Sequence, residues 1–106
     1  NMSVCASTIY VPKRFWQDPN ETKRYRWNFN AWCTRAGLSV ASFAVVLPDP
    51  PTTLEVVSQE LTGNVAIAFI KGVETGKQYT VTCRMTSTGT TPQILDRSIV
   101  LIARSF

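Results

Sequence analysis

The sequence predicts an all-β domain, an immunoglobulin-like β-sandwich of six or seven strands with an extended N-terminal arm. Three observations predict it. From Tyr79 to Met85 the odd positions Tyr79, Val81, Cys83 and Met85 are apolar while Thr80, Thr82, Arg84 and Thr86 are polar, the period of two of a strand with one buried face. Turn residues recur at short-strand spacing: Pro48-Asp49-Pro50-Pro51, Thr62-Gly63-Asn64, the pair Gly72 and Gly76, and the pair Gly89 and Pro92. No amphipathic helix of useful length interrupts them. A small Greek-key barrel is the second architecture compatible with this pattern.

Residues 1–24 read as the arm. Pro12 and Asp18-Pro19-Asn20 break any periodicity, and apolar residues come only in pairs such as Ile9-Tyr10 and Phe15-Trp16. Asn20-Glu21-Thr22 matches a glycosylation sequon but reads as a turn. The sandwich is expected over residues 25–106. Its first strand has Tyr25, Trp27 and Phe29 alternating with Arg26, Asn28 and Asn30, and Ala31-Trp32-Cys33 forms a short helical or bent turn before Gly37.

The next strand runs from about Leu38 to Leu47; its inward face stays ambiguous, because Val40 and Phe43 are three residues apart, with a bulge that switches parity as one way to reconcile them. Leu54 to Ser58 is a short strand with Leu54 and Val56 on one face, and in Val65 to Ile70 three large apolar residues alternate with two alanines. After the Tyr79 strand, Asp96-Arg97-Ser98 leads into a final strand whose Ile99, Val100, Leu101 and Ile102 place apolar side chains on both faces. The outer face of a lone sandwich is normally polar, so Val100 and Ile102 ask either for a covering loop or arm, or for a partner.

With 106 residues, 44% of them hydrophobic, the chain fits one domain with a sufficient core. No apolar run approaches the roughly 20 residues of a membrane-spanning helix, and the first residues show neither the basic start nor the continuous apolar region of a signal peptide. Charge is uneven. Residues 1–36 hold six bases against Asp18 and Glu21, leaving +4, whereas residues 37–106 hold five of each sign. A basic leader on a neutral body points to an acidic partner surface or to nucleic acid.

Inventory argues against catalysis. The chain has no histidine, so Ser-His and Cys-His pairs are excluded, and the seven carboxylates form no recognisable acid/base motif, although sequence distance alone leaves a spatial pair open. Cys5, Cys33 and Cys83 contain no C-x-x-C spacing and disfavour structural zinc; one disulfide stays open beside the favoured reading of reduced thiols. Gly72 and Gly76 precede a strand, so they make a turn and no phosphate cradle. No catalytic, metal or cofactor residue is assigned.

Two runs interleave bases with aromatics: Lys13-Arg14-Phe15-Trp16 and Lys23-Arg24-Tyr25-Arg26-Trp27. Such a run suits a base-stacking platform beside a phosphate-neutralising groove. It suits equally a core or subunit contact with arginines at its rim. No OB-fold or RNP pattern accompanies it, so nucleic acid is the weaker reading. The candidate partner-binding residues are Lys13, Arg14, Phe15, Trp16, Tyr25, Trp27, Val100 and Ile102.

Several motifs occur together in order. They are Lys13 to Asp18-Pro19, Tyr25-x-Trp27-x-Phe29-x-x-Trp32, Gly37-Leu38-Ser39-Val40-Ala41-Ser42, Gly72-x-x-x-Gly76-x-x-Tyr79-x-Val81-x-Cys83-x-Met85-Thr86-Ser87-x-Gly89, and Asp96-Arg97-Ser98-Ile99. Over residues 13–106 this order resembles small Ig-like virion proteins of tailed bacteriophages, the fiber–tail adaptors or tail-associated connectors. The chain departs from their pattern at Asn28 and Asn30 and in the single glycine after Ile70-Lys71.

The resemblance implies a structural virion component, assembled in the bacterial host cytoplasm. It would link tail or neck to fibres or spikes by repeated protein–protein contacts, as a symmetric homo-oligomeric ring whose partners are other virion proteins. It implies no cofactor and no membrane. Capsid decoration or a generic Ig-like binding module would use the same fold.

Overall fold

A computed structural model of the chain describes residues 12–49 and 52–105. Seven strands and one short helix follow in the order β1 (Lys13–Gln17), β2 (Lys23–Asn28), α1 (Asn30–Ala36), β3 (Val40–Val46), β4 (Glu55–Thr62), β5 (Val65–Lys71), β6 (Gln78–Ser87) and β7 (Ile94–Ala103). They form two sheets, β1-β7-β6-β3 and β2-β5-β4. Apart from β1, this is the B-E-D and C-F-G arrangement of immunoglobulin-type sandwiches, with β1 added beside the last strand. The expected fold class is the one observed.

The alternation that predicts β6 also sets its packing. Tyr79, Val81, Cys83 and Met85 are buried, while Thr80 and Arg84 are exposed. β7 pairs antiparallel with it from Gln78↔Ile102 to Thr86↔Ile94 and contributes Ile99, Leu101 and Ala103 to the same core. From the other sheet come Tyr25, Trp27, Ala66, Ala68 and Ile70. Ala68 lies opposite Tyr25 and Ala66 opposite Trp27 in the β2–β5 ladder. Small residues there leave space for the two large rings, the interdigitation that close packing between sheets requires.

Local breaks sit where backbone chemistry puts them. The ambiguity in β3 is resolved by a bulge between Val40 and Ser42, so that Val40 and then Phe43 and Val45 pack on the core. β4 runs four residues beyond the expected Ser58, because a second irregularity between Val56 and Ser58 breaks its alternation without ending its pairing to β5. α1 closes on Gly37 in the left-handed region, at φ 69°, whose N–H bonds to the Cys33 carbonyl. At Gly72, φ is +96° and an added Cβ would lie 2.0 Å from the Thr53 carbonyl oxygen, so only glycine fits that corner.

The arm expected over residues 1–24 is in part sheet. Residues 1–11 lie outside the described residues, as do Cys5 and the Pro50-Pro51 half of the proline break. Residues 13–17 are β1, paired parallel to β7 from Lys13↔Ile99 to Gln17↔Ala103, and Lys23 and Arg24 begin β2. Asp18-Pro19-Asn20 is the turn between them: Glu21 N–H donates to the Asp18 carbonyl at 2.9 Å and Asn20 N–H to Asp18 Oδ1 at 2.8 Å. The sequon thus lies in this turn.

Gln17, the last residue of β1, ties the two sheets together. It is fully buried, and its Nε2 donates to the carbonyls of Glu21 and Ile70, both at 2.9 Å. Its Oε1 accepts from the Tyr25 hydroxyl at 2.6 Å. A buried amide with all these bonds made is stabilising and specifies one docking of β1, whereas an unpaired one would be costly.

Candidate partner-binding surfaces

Strand parity divides the candidate residues between two surfaces. Arg14 and Trp16 lie on the outer side of β1, opposite Val100 and Ile102 of β7. Lys13 and Phe15 point to the other side, toward Tyr25 and Trp27 of β2. Four consecutive residues, Lys13-Arg14-Phe15-Trp16, therefore serve two places, as the pleat of a strand dictates.

The outer surface has an apolar centre with cationic edges. Trp16 is 48% exposed, and the Arg104 guanidinium sits 4.8 Å from its ring centroid, within cation–π range. Val100 and Ile102 are half-buried beside it, so β1 flanks these two side chains without covering them. Farther along β7 the same face turns polar. Thr82 and Ser98 share a 2.7 Å hydrogen bond, and Arg84 grips Asp96 through Nε–Oδ1 at 2.9 Å and Nη2–Oδ2 at 3.0 Å. That hydrogen-bonded pairing, foremost, holds the Asp96 carboxyl below its ordinary range and raises Arg84.

The second surface is a cleft of about 560 Å3 at the sandwich edge where β1 and β2 face each other. Phe15 and Ile99 contribute apolar lining, and the Phe15 and Tyr25 rings meet edge to face at 5.4 Å. Residues 24–28 of β2 line it without a gap. Consecutive residues of a strand point to opposite faces, so an unbroken run can border a cleft only along the strand's edge. Lys13, Arg24, Arg26 and Arg97 bring four positive charges, and no carboxylate lines the cleft. Arg97 also stacks on Phe29 at 5.4 Å.

Tyr25 and Trp27 belong to the core, at 3% and 5% exposure. Burial, with a smaller contribution from the charge of Glu21, keeps the Tyr25 hydroxyl protonated well above its ordinary range, which preserves its bond to Gln17. The Trp27 indole N–H is buried and finds no acceptor among the described residues. Neither of these two rings can stack on a base, so the Tyr25 and Trp27 half of the platform weighed from the sequence does not form, whereas Trp16 stays exposed. Cys33 and Cys83 are buried free thiols. Burial, then the nearby Asp96 charge, pushes Cys83 up to about 12, making it an unreactive filler.

Sequence reasoning placed Arg24 and Arg26 in a basic and aromatic run, at the rim of a core or subunit contact, without naming them among the candidate residues, and it missed Arg97 and Arg104. For Arg24 and Arg26 a signal exists, since both alternate with the buried Tyr25 and Trp27. For Arg97 and Arg104 nothing local indicates that β1 lies next to β7.

The family model for the podophage GP4 fiber-tail adaptor protein gp77 matches residues 17–102. The chain belongs to this family. It is thus a member of a family of structural phage adaptors, in line with the resemblance seen in the sequence. No curated protein and no solved structure matches the chain significantly. The adaptor match begins at Gln17, the sheet-tying glutamine, and ends at Ile102, so it takes in β2 to β6, nearly all of β7 and the cleft wall from β2. Lys13, Arg14, Phe15 and Trp16 precede it. Among the described residues of this adaptor no helix is long and apolar enough to cross a membrane.

Proposed function

We propose that this chain links the tail or neck of a podophage virion to its fibres, repeated as a symmetric homo-oligomeric ring and acting wholly through protein–protein contacts. Membership in the fibre–tail adaptor family carries this reading. The outer surface of β1 and β7 is the contact it would use most directly. Trp16, Val100 and Ile102 supply apolar area with an aromatic anchor, and Arg14 and Arg104 supply the charged rim, the composition of a protein interface. The first eleven residues, in this reading, reach a neighbouring copy or ring component by strand addition, a mode that needs backbone groups and no dedicated pocket. Assembly takes place in the host cytoplasm, and the product resides in the virion.

The test is incorporation. Phage carrying Trp16→Ala together with Ile102→Asp should yield tails lacking fibres or lacking this protein, by negative-stain imaging and immunoblotting of purified particles. Deletion of residues 1–11 should do the same. Wild-type fibre occupancy with both variants would refute the assignment of these contacts.

A further inference from the structure

We propose that the free edge of β2 is a strand-addition site for an extended acidic segment of a partner protein. The proposal deepens the adaptor reading by naming the chemistry one partner presents. β2 is the outermost strand of its sheet, pairing only with β5 among the described residues. Its alternate backbone N–H and C=O groups therefore face away from the ladder, a template for another strand. Immunoglobulin-type domains of the constant class place a fourth strand at this position, and among the described residues it is vacant.

The cleft beside that edge selects the occupant. Lys13, Arg24, Arg26 and Arg97 surround it with no carboxylate in its lining, so a strand carrying Asp or Glu at alternate positions meets compensating charge. Its other side chains would rest on Phe15 and Ile99. Residues 1–11 of this chain contain no Asp or Glu, which makes them a poor electrostatic match. Nucleic acid is disfavoured by the same site: the aromatic rings of β2 are buried, and an unpaired peptide edge is complemented by another peptide backbone.

The probe is a fluorescein-labelled ten-residue peptide of alternating Glu and Val, titrated into the full chain by fluorescence anisotropy. Three companions accompany it: a Gln-for-Glu version, a version N-methylated at alternate residues, and single-stranded DNA of similar charge. The acidic peptide should bind, weakening with salt, and Arg24→Glu/Arg26→Glu should reduce affinity roughly tenfold or more. N-methylation, which removes backbone donors but no charge, should cause a comparable loss, and hydrogen exchange at the amides of residues 24–28 should slow on binding. Arg84→Gln, on the outer face, should leave affinity unchanged.

Absence of binding, equal binding of the N-methylated peptide, or tighter binding of DNA would overturn the proposal. So would full exchange protection of residues 24–28 in the unliganded chain, which would mean that its own segment already covers the edge. Because titration uses the isolated protein, it succeeds or fails independently of virion assembly. Trp16→Ala/Ile102→Asp should lose incorporation and keep the peptide.

Discussion

The two sides of β1 and β7 are built from interleaved residues, yet they meet different demands. The inner side holds Phe15, Gln17, Ile99, Leu101 and Ala103, packed against the second sheet with every polar group of Gln17 bonded. The outer side holds Arg14, Trp16, Val100 and Ile102, half-covered and rimmed by arginine. One set answers to the energetics of folding, the other, under the function proposed above, to those of association. Neighbours in sequence therefore carry unrelated roles, and residues distant in sequence, such as Trp16 and Ile102, share one.

The sharpest way to break this contrast is to truncate adjacent residues. Leu101→Ala removes a fully buried side chain and should cost about 2–5 kcal/mol in urea unfolding, while Ile102→Ala, on the opposite face, should cost about 1 kcal/mol or less. Equal losses would mean that the outer face is structural. Gln17→Leu should come next. It leaves the Tyr25 hydroxyl and the carbonyls of Glu21 and Ile70 without their partner, a loss of about 1–3 kcal/mol measurable in the same assay.

Alkaline pH probes the inner side. Cys83 and Tyr25 both have folded values raised by burial. The folded state then holds protons that the unfolded chain releases. Their stability contribution is complete below the unfolded values and is lost as pH rises from about 8.5 for the thiol and about 10 for the phenol. Unfolding followed from pH 8 to 11 should show falling stability, and Cys83→Ala should flatten the earlier part of that fall. A slope unchanged by the substitution would assign the effect elsewhere.

The smallest effect belongs to the exposed pair on the outer side. Asp96 is held below its ordinary value by Arg84, so its contribution exists above the unfolded carboxylate range and disappears as pH falls through the lowered value. Asp96→Asn should reduce acid-side pH dependence only slightly and become indistinguishable from wild type in high salt, because solvent and ions screen such a pair.

Much of the fold was legible because its strongest strands are locally consistent. β6 alternates without exception, the Val40 to Phe43 spacing marks where the parity of β3 comes into question, and the apolar outer side of β7 is visible in Val100 and Ile102. β1 was not legible as sheet. Lys13 and Arg14 conceal the alternation of a five-residue edge strand, and its parallel partner lies some 86 positions away, from Lys13 to Ile99. β4 was cut short by reading Val57-Ser58 as an ending when it is an irregularity within continuous pairing. The cleft was legible only as scattered bases and aromatics.

By itself the sequence determined the all-β class, the positions of the turns, the buried face of β6 and the family resemblance, since all of these follow from local periodicity, turn chemistry and order along the chain. Only the tertiary structure decided that β1 joins the sheet, that Gln17 binds the two sheets, and that Lys13 and Arg14 face different surfaces. Those outcomes depend on which strands become neighbours, and parallel pairing between chain ends is selected by the whole core and not by any residue's own preference.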